Sequence, residues 1–323
     1  LLISVSNCTG DHPDGGPLDL TQAKKIFDFS HRYGVDIDAV EFMNEPNMLE
    51  LSGAPKGYTA ADYARDQDIL YAWVRENYPS CLLVGPCTTQ ELLAGTTVKL
   101  DVFSYHYYNG ISERMASLMP SAHWSGQLAH SDAYLAVAPA CAKAHAALRD
   151  QFVPGGQMWV TESGDAGGGG DTWASTYLDV LRTLNELGSF ATITDGVIFH
   201  NTLASSDYGF LEHGTFQPRP NYFAVLLWNR LMGTDVYDCN NPDREGAHIY
   251  CPPRWQARRR VSGHQQLPDQ HHHCGAAQGG HALYAPRQNH ALACDAAQRQ
   301  RSHRSARRCS PRAGAAKAAG RRC

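Results

Sequence analysis

The chain has 323 residues, 43% hydrophobic and 19% charged, with a formal net charge of -4; this is enough apolar material for one large domain or two ordinary ones. The net figure hides an asymmetry, because residues 254–323 carry thirteen Arg and one Lys against two Asp, or +12, which leaves residues 1–253 at -16. Nothing in so acidic a body suggests a nucleic-acid groove, and no run approaches the ~18 apolar residues that would span a membrane as a helix.

In chain order, Leu1 to Val5 reads as a strand starting at the first residue, so the chain is expected to begin inside a domain. Further apolar runs at 38–43, 82–85, 102–106, 157–161 and 196–200 read as strands. Between them lie helical stretches at 20–33, 60–77, 131–149, 175–187 and 220–232. The clearest is 60–77, with Thr59 and Asp62 in capping-box spacing and Tyr63, Leu70 and Val74 on one face. The alternation predicts a parallel α/β architecture. Polar residues cluster at the carboxyl ends of the strands: Asn7, Asn44 with Glu45, His106 with Tyr107, Glu162, and His200 with Asn201. That rim is where a (β/α)8 barrel builds its active site. Six strands are two short of eight, so the expected fold is a (β/α)8 TIM barrel lacking its first two βα units. Residue 1 then enters at the third strand, Glu45 ends the fourth and Glu162 ends the seventh.

Three segments follow from this reading: a partial barrel over 1–238, the start of a carboxyl-terminal β domain over 239–253, and an Arg/Ala/His-rich tail over 254–323. The tail has no Ile, Phe or Met, one Val and three Leu, with seven His and four Cys; such a segment cannot bury enough apolar surface to order itself. It reads as a shifted reading frame breaking near Cys251 to Trp255. The alternatives are a basic arm for RNA or anionic lipid, or a metal tract through His271, His272, His273 and Cys274. Cys239 and Cys251 flank a short segment that a disulfide would suit if the compartment is oxidising. Asn7-Cys8-Thr9 is a glycosylation sequon of a kind that arises often by chance.

The strongest signal is a pair of carboxylates presented alike. Asn44-Glu45-Pro46-Asn47 closes the apolar stretch Val40, Phe42, Met43, and Glu162 closes Met158 to Thr161 before the glycines Gly167 to Gly170. Hydrolysis of a glycosidic bond with retention needs two such groups, one acid/base and one nucleophile. Glu45 is the candidate acid/base, with Asn44 placed for a sugar 2-hydroxyl; a group that both donates and removes a proton works best with its pKa near the working pH. Glu162 is the candidate nucleophile. Glu41 reads as a structural ion-pair partner rather than a catalytic group. The glycine run suits a flexible turn or a concave anion site of backbone N–H groups, and no Gly-Lys-Ser/Thr follows it, which excludes a P-loop. His106 and Tyr107 are candidates for contacting the sugar or orienting Glu162, and Asn201 for bonding the glycone. No set of His, Cys and Asp in the body has metal-ligand spacing, and no Gly-x-Ser-x-Gly elbow occurs. No metal or cofactor is expected.

Val40 to Asn47 resembles the acid/base segment of clan A retaining glycosidases. Tyr105 to Gly110, Trp159 to Gly164 with the glycines, Asn201-Thr202-Leu203, Asp207-Tyr208-Gly209, Pro218 to Tyr222, and Leu227 to Thr234 narrow the resemblance to glycoside hydrolase family 79, the heparanase and β-glucuronidase family. It runs from about residue 2 to about residue 238. The resemblance implies a barrel followed by a β-sandwich, with Gly168, Gly169 and Tyr208 holding a uronic acid carboxylate; Gly167 stands where the family has a bulkier residue. It implies a retaining β-glucuronidase acting on a glucuronic acid-containing glycan or small glucuronide, secreted, with peripheral membrane association possible on family grounds alone. The acidic body favours non-sulfated substrates over a sulfated polyanion. Two other readings stay open: a clan A glycosidase for a neutral sugar, and a non-catalytic glycan-binding remnant.

Overall fold

The computed structural model describes residues 1–238 except 89, 195 and 234, together with 248–251 and 275–277. Six strands form one sheet in the order β1 (Leu2–Val5), β2 (Ala39–Phe42), β3 (Leu82–Gly85), β4 (Val102–Ile111), β5 (Gln157–Gly167) and β6 (Ile198–His200). Sequential neighbours with parallel pairing at β1–β2, β2–β3 and β3–β4 require crossovers. Helices α1 (Thr21–Arg32) and α2 (Ala60–Asn77) make the first two and a 3-10 stretch (Gln90–Gly95) lies in the third; α3 (Asp132–Leu135) and α4 (Val137–Phe152) lie between β4 and β5, and α5 (Tyr177–Ile193) between β5 and β6. Among the described residues, no helix is long and apolar enough to cross a membrane.

The chain divides into two compact units. The first comprises Leu1–His106, Ala144–Thr161 and Gly196–Ile198. All four residues of β2 are buried, as in a parallel strand covered on both faces. Helix α1 buries Ala23, Phe27 and Ser30 at i, i+4 and i+7, and Phe27 meets Trp73 edge-on at 5.2 Å between ring centroids. Helix α2 starts where the sequence predicts, because Thr59 accepts from the Asp62 N–H while the Asp62 carboxylate accepts from that of Thr59. It buries Tyr63, Leu70, Tyr71 and Val74. The Tyr71 hydroxyl ties β2 to β3, accepting from the Phe42 N–H at 2.8 Å and donating to the Val84 carbonyl.

The second unit comprises Tyr107–Lys143, Glu162–Asp195 and Phe199–Cys323. Its core contains an Arg–carboxylate network on α5. Arg182, 1% exposed, donates to Asp179 and Glu186, three residues before and four after it, and to the Thr183 hydroxyl at 2.9 Å. Asp179 also accepts from Asn221 of α6 (Pro220–Leu231) and from the Ser175 N–H at 3.2 Å. A second sheet, β7 (Tyr237–Asp238), β8 (His248–Cys251) and β9 (Gly275–Ala277), is antiparallel. Tyr250 of β8 lies against α5 where Gly188 leaves room: a Cβ there would fall 2.4 Å from the tyrosine ring.

Several expectations shift. The helix expected at 131–149 is two helices parted at Ala136, with Pro139 in the first turn of α4, where its missing N–H costs nothing. Strands β4 and β5 run on to Ile111 and Gly167, so Tyr107 and Glu162 lie inside strands rather than at their ends. Asn7 of the sequon is 3% exposed and accepts from His12 at 2.7 Å. The Cys239–Cys251 pairing and, apart from 275–277, the tail lie outside the described residues.

Arg182→Leu is expected to destabilise the chain by about 3–5 kcal/mol, because it strands two buried carboxylates. Urea unfolding followed by circular dichroism checks this.

Candidate functional site

In the first unit, Glu45 follows β2 in a left-handed conformation, φ 44°, and Met43 two residues earlier has φ 60°. Non-glycine residues pay for that geometry and keep it only where the surroundings impose it, commonly at functional sites. Pro46 opens a short 3-10 turn over Pro46–Met48, and Asn44 is exposed. The Glu45 side chain is a quarter exposed, whereas that of His106 is only 5% exposed. His106 Nδ1 lies 3.1 Å from Glu45 Oε1, and its Nε2 lies 2.9 Å from Cys87 Sγ. The Glu45 N–H in turn donates to Cys87 Sγ at 3.3 Å. His106 therefore holds Glu45 from one ring nitrogen and a thiol from the other.

Glu41, expected in an ion pair, is 4% exposed and accepts from the Ser104 hydroxyl and, at 3.4 Å, from that of Thr161. Ser104 also accepts the Cys87 N–H at 2.9 Å.

In the second unit, Glu162 Oε2 accepts from the Tyr108 hydroxyl at 2.6 Å and from Asn201 Nδ2 at 3.2 Å. Asn201 also donates to the Tyr108 oxygen at 2.9 Å. Burial, reinforced by the neighbouring Glu162 charge, raises the Tyr108 pKa far above the usual tyrosine range, so the hydroxyl stays a donor. Tyr107 corrects the sequence expectation: it is 2% exposed, packs edge-on against Phe190 at 5.3 Å and donates to Asn109. Side chains alternate along a strand, which turns Tyr107 inward and leaves the contact with Glu162 to Tyr108. That alternation, applied from His106 onward, is the signal that would have found Tyr108.

Gly168, Gly169 and Gly170 have φ of 89°, 103° and 81°, a left-handed run that only glycine makes without strain. A Cβ at Gly168 would fall 2.7 Å from Met115 Sδ, and one at Gly170 would fall 3.0 Å from the Tyr208 N. The run is pinned by Arg114, which donates to the Gly170 carbonyl at 2.6 Å and pairs with Asp207, and by the Asp207 N–H, which donates to the Gly169 carbonyl at 3.0 Å. Arg114 puts a cation beside the glycines that no motif announces. Tyr208 is 7% exposed, and its ring stacks on that of Tyr108 at 6.2 Å. Beneath it, His200 lies flat on Phe210 at 3.9 Å and donates through Nε2 to the Tyr208 carbonyl at 2.7 Å.

Burial pushes the His200 pKa down to about 4, against an ordinary value near 6.5. The unfolded chain therefore takes up this proton first, and the stability that neutral His200 contributes is present above about 6.5 and lost as pH falls towards 4. His200→Gln is expected to flatten that part of the stability–pH profile, read as the difference in urea midpoint between the two proteins across pH 4–7.

No family model matches the chain. It is 30% identical over 253 residues to heparanase-like protein 1 of Arabidopsis thaliana, which covers 73% of this chain and 45% of that protein. It is 27% identical over 210 residues to baicalin-β-D-glucuronidase of Scutellaria baicalensis, covering 60% and 38%. Among solved structures, a 4-O-α-L-rhamnosyl-β-D-glucuronidase from Fusarium oxysporum matches with a TM-score of 0.52 at 15% identity, over 71% of this chain and 52% of that one. At that identity the likeness is one of fold, that of the TIM-barrel glycosidases. The chain spans about half the length of the curated relatives it matches.

Proposed function

We propose a function from the premise that the chain belongs to the heparanase-like family, glycoside hydrolase family 79: it carries the catalytic residues of a retaining β-glucuronidase. Glu45 protonates the glycosidic oxygen as the aglycone leaves, and Glu162 attacks the anomeric carbon to form a glycosyl ester. Glu45, now ionised, takes a proton from water as that water displaces Glu162. Retention requires the two carboxyl groups to lie about 5–5.5 Å apart with the sugar between them.

The observation that carries this reading is the pair of donors on one oxygen of Glu162. Two donors on one oxygen fix the rotamer of Glu162, so that an oxygen can be presented to the sugar without reorganisation. His106 gives Glu45 a partner of the opposite kind: a ring that can trade a proton with it. For the glycone, the left-handed glycines with Arg114 alongside offer N–H groups and a positive charge, suited to the carboxylate of a uronic acid. Tyr208 walls the same loop.

The substrate class is a non-sulfated glucuronide, free or on a glycan. Residues 1–253 carry -16, a field that repels a polysulfated chain over distances of the order of the Debye length, about 8–10 Å.

Both glutamates should be indispensable, and in different ways. On an aryl β-glucuronide, Glu162→Ala is expected to lower kcat about 10⁴-fold or more, with azide restoring turnover and giving the α-glucuronyl azide. Glu45→Ala, with a good leaving group, is expected to be rescued to the β-azide. Full activity in either variant, or the same anomer from both, would remove the assignment. Aryl glucoside as the preferred substrate would replace the glucuronide reading with one for a neutral sugar.

A further inference from the structure

We propose that Glu41, Cys87 and His106 form a binding site for a thiophilic divalent cation, of which zinc is the type. The carboxylate, the thiol and the imidazole come from β2, the turn after β3, and β4, and their ligand atoms all lie within 4.8 Å of one another. Linear spacing hides such a set: the three residues are separated by 46 and 19 positions, and it is the side-by-side order of β2, β3 and β4 that brings β2, the turn after β3, and β4 together.

The donor chemistry is selective. One thiolate, one imidazole nitrogen and one carboxylate oxygen match the borderline-soft ligand set of zinc, with the tetrahedron open at its fourth position, and they exclude magnesium and calcium, which take oxygen ligands. The site is buried, with Cys87 at 0% and Glu41 at 4% exposed, so a bound cation would be shielded from competing water. The surroundings are arranged as they are around metal-bound histidines. His106 faces Cys87 through Nε2 and reaches Glu45 through Nδ1, the carboxylate–histidine pattern that orients an imidazole ligand and fixes its tautomer. Glu41 and Cys87 are braced through Ser104, which accepts the Cys87 N–H and donates to Glu41. Cys87 itself has φ 74°, a conformation that a β-carbon resists and that turns its sulfur back towards His106.

Binding forms a metal–sulfur bond and breaks the S–H bond, with the proton released to solvent, so affinity rises with pH. With the cation on Nε2, the imidazole proton is confined to Nδ1, which faces the Glu45 carboxyl.

The probe is Co²⁺, whose bond to a thiolate gives a near-ultraviolet charge-transfer band, titrated into the full chain. The tail's His271-to-Cys274 tract is first removed by His271→Ala, His272→Ala, His273→Ala and Cys274→Ser, and Cys87→Ser then assigns the band among the thiols that remain. The expected result is a saturating band that Zn²⁺ displaces, that Cys87→Ser abolishes, and that Glu45→Gln weakens in affinity by about 10–100-fold, the usual effect of losing a histidine's outer partner. Glu162→Gln is expected to keep it, which separates this site from the hydrolytic reading: the band does not depend on turnover. Should Cys87→Ser fail to fold, the unaltered chain decides, since Zn²⁺ is expected to slow alkylation of Cys87, followed by peptide mass spectrometry, and Mg²⁺ is not. Absence of the band, its persistence in a folded Cys87→Ser protein, or unchanged alkylation with Zn²⁺ overturns the proposal.

Discussion

The pleat of β4 is the constraint from which the chemistry follows. Residues two apart on a strand share a face, and β4 uses this to supply a partner to each glutamate: His106 to Glu45 and Tyr108 to Glu162. Tyr107 between them turns into the core, where its hydroxyl is satisfied by Asn109. A slip of one residue in the register of β4 would exchange these faces, turning the imidazole away from Glu45 and presenting a tyrosine that belongs to the core. The pairing of β3 with β4 at Val84–Val102 and Gly85–Phe103 is thus a condition of the chemistry as well as of the fold.

The two glutamates are held by different chemistry. Glu162 is gripped by neutral donors, one of which burial keeps protonated, an arrangement that fixes the direction of its carboxylate. Glu45 faces an imidazole, a donor or acceptor by tautomer, whose other nitrogen is engaged by a thiol. The difference fits a nucleophile on the one hand and a proton donor and acceptor on the other. Around the second of these, the backbone is bent at Met43, Glu45 and Cys87 into conformations that cost energy for residues with a Cβ. The offsetting stability in that unit comes from cores such as Phe27, Tyr63, Tyr71 and Val74.

Much of this was legible in the residues, for physical reasons that differ from case to case. Helix α2 was readable to the residue because a capping box is a local device, closed between Thr59 and Asp62 without help from the rest of the chain. The apolar run before Glu45 and the glycines after Glu162 were readable because strand ends and left-handed turns demand particular residue types. The misplacement of Tyr107 came from reading β4 as ending at residue 106, when it continues to Ile111. Arg114 and Cys87 were illegible, since each acquires its meaning from a partner far off in sequence: the Gly170 carbonyl for one and the His106 ring for the other. Glu41 was read as a structural ion-pair partner from strand alternation, which gives a side chain's face but not its neighbours; the hydroxyls of Ser104 and Thr161 are among them.

The central claim is that Glu162 becomes covalently bonded to the sugar, and trapping that bond tests it most directly. A 2-deoxy-2-fluoro glucuronide with an activated leaving group slows breakdown of the ester relative to its formation, so the adduct accumulates. Digestion and mass spectrometry are expected to find one glucuronyl group per chain, on Glu162. A label on another residue, or a product released with inverted configuration and no adduct, would contradict the account.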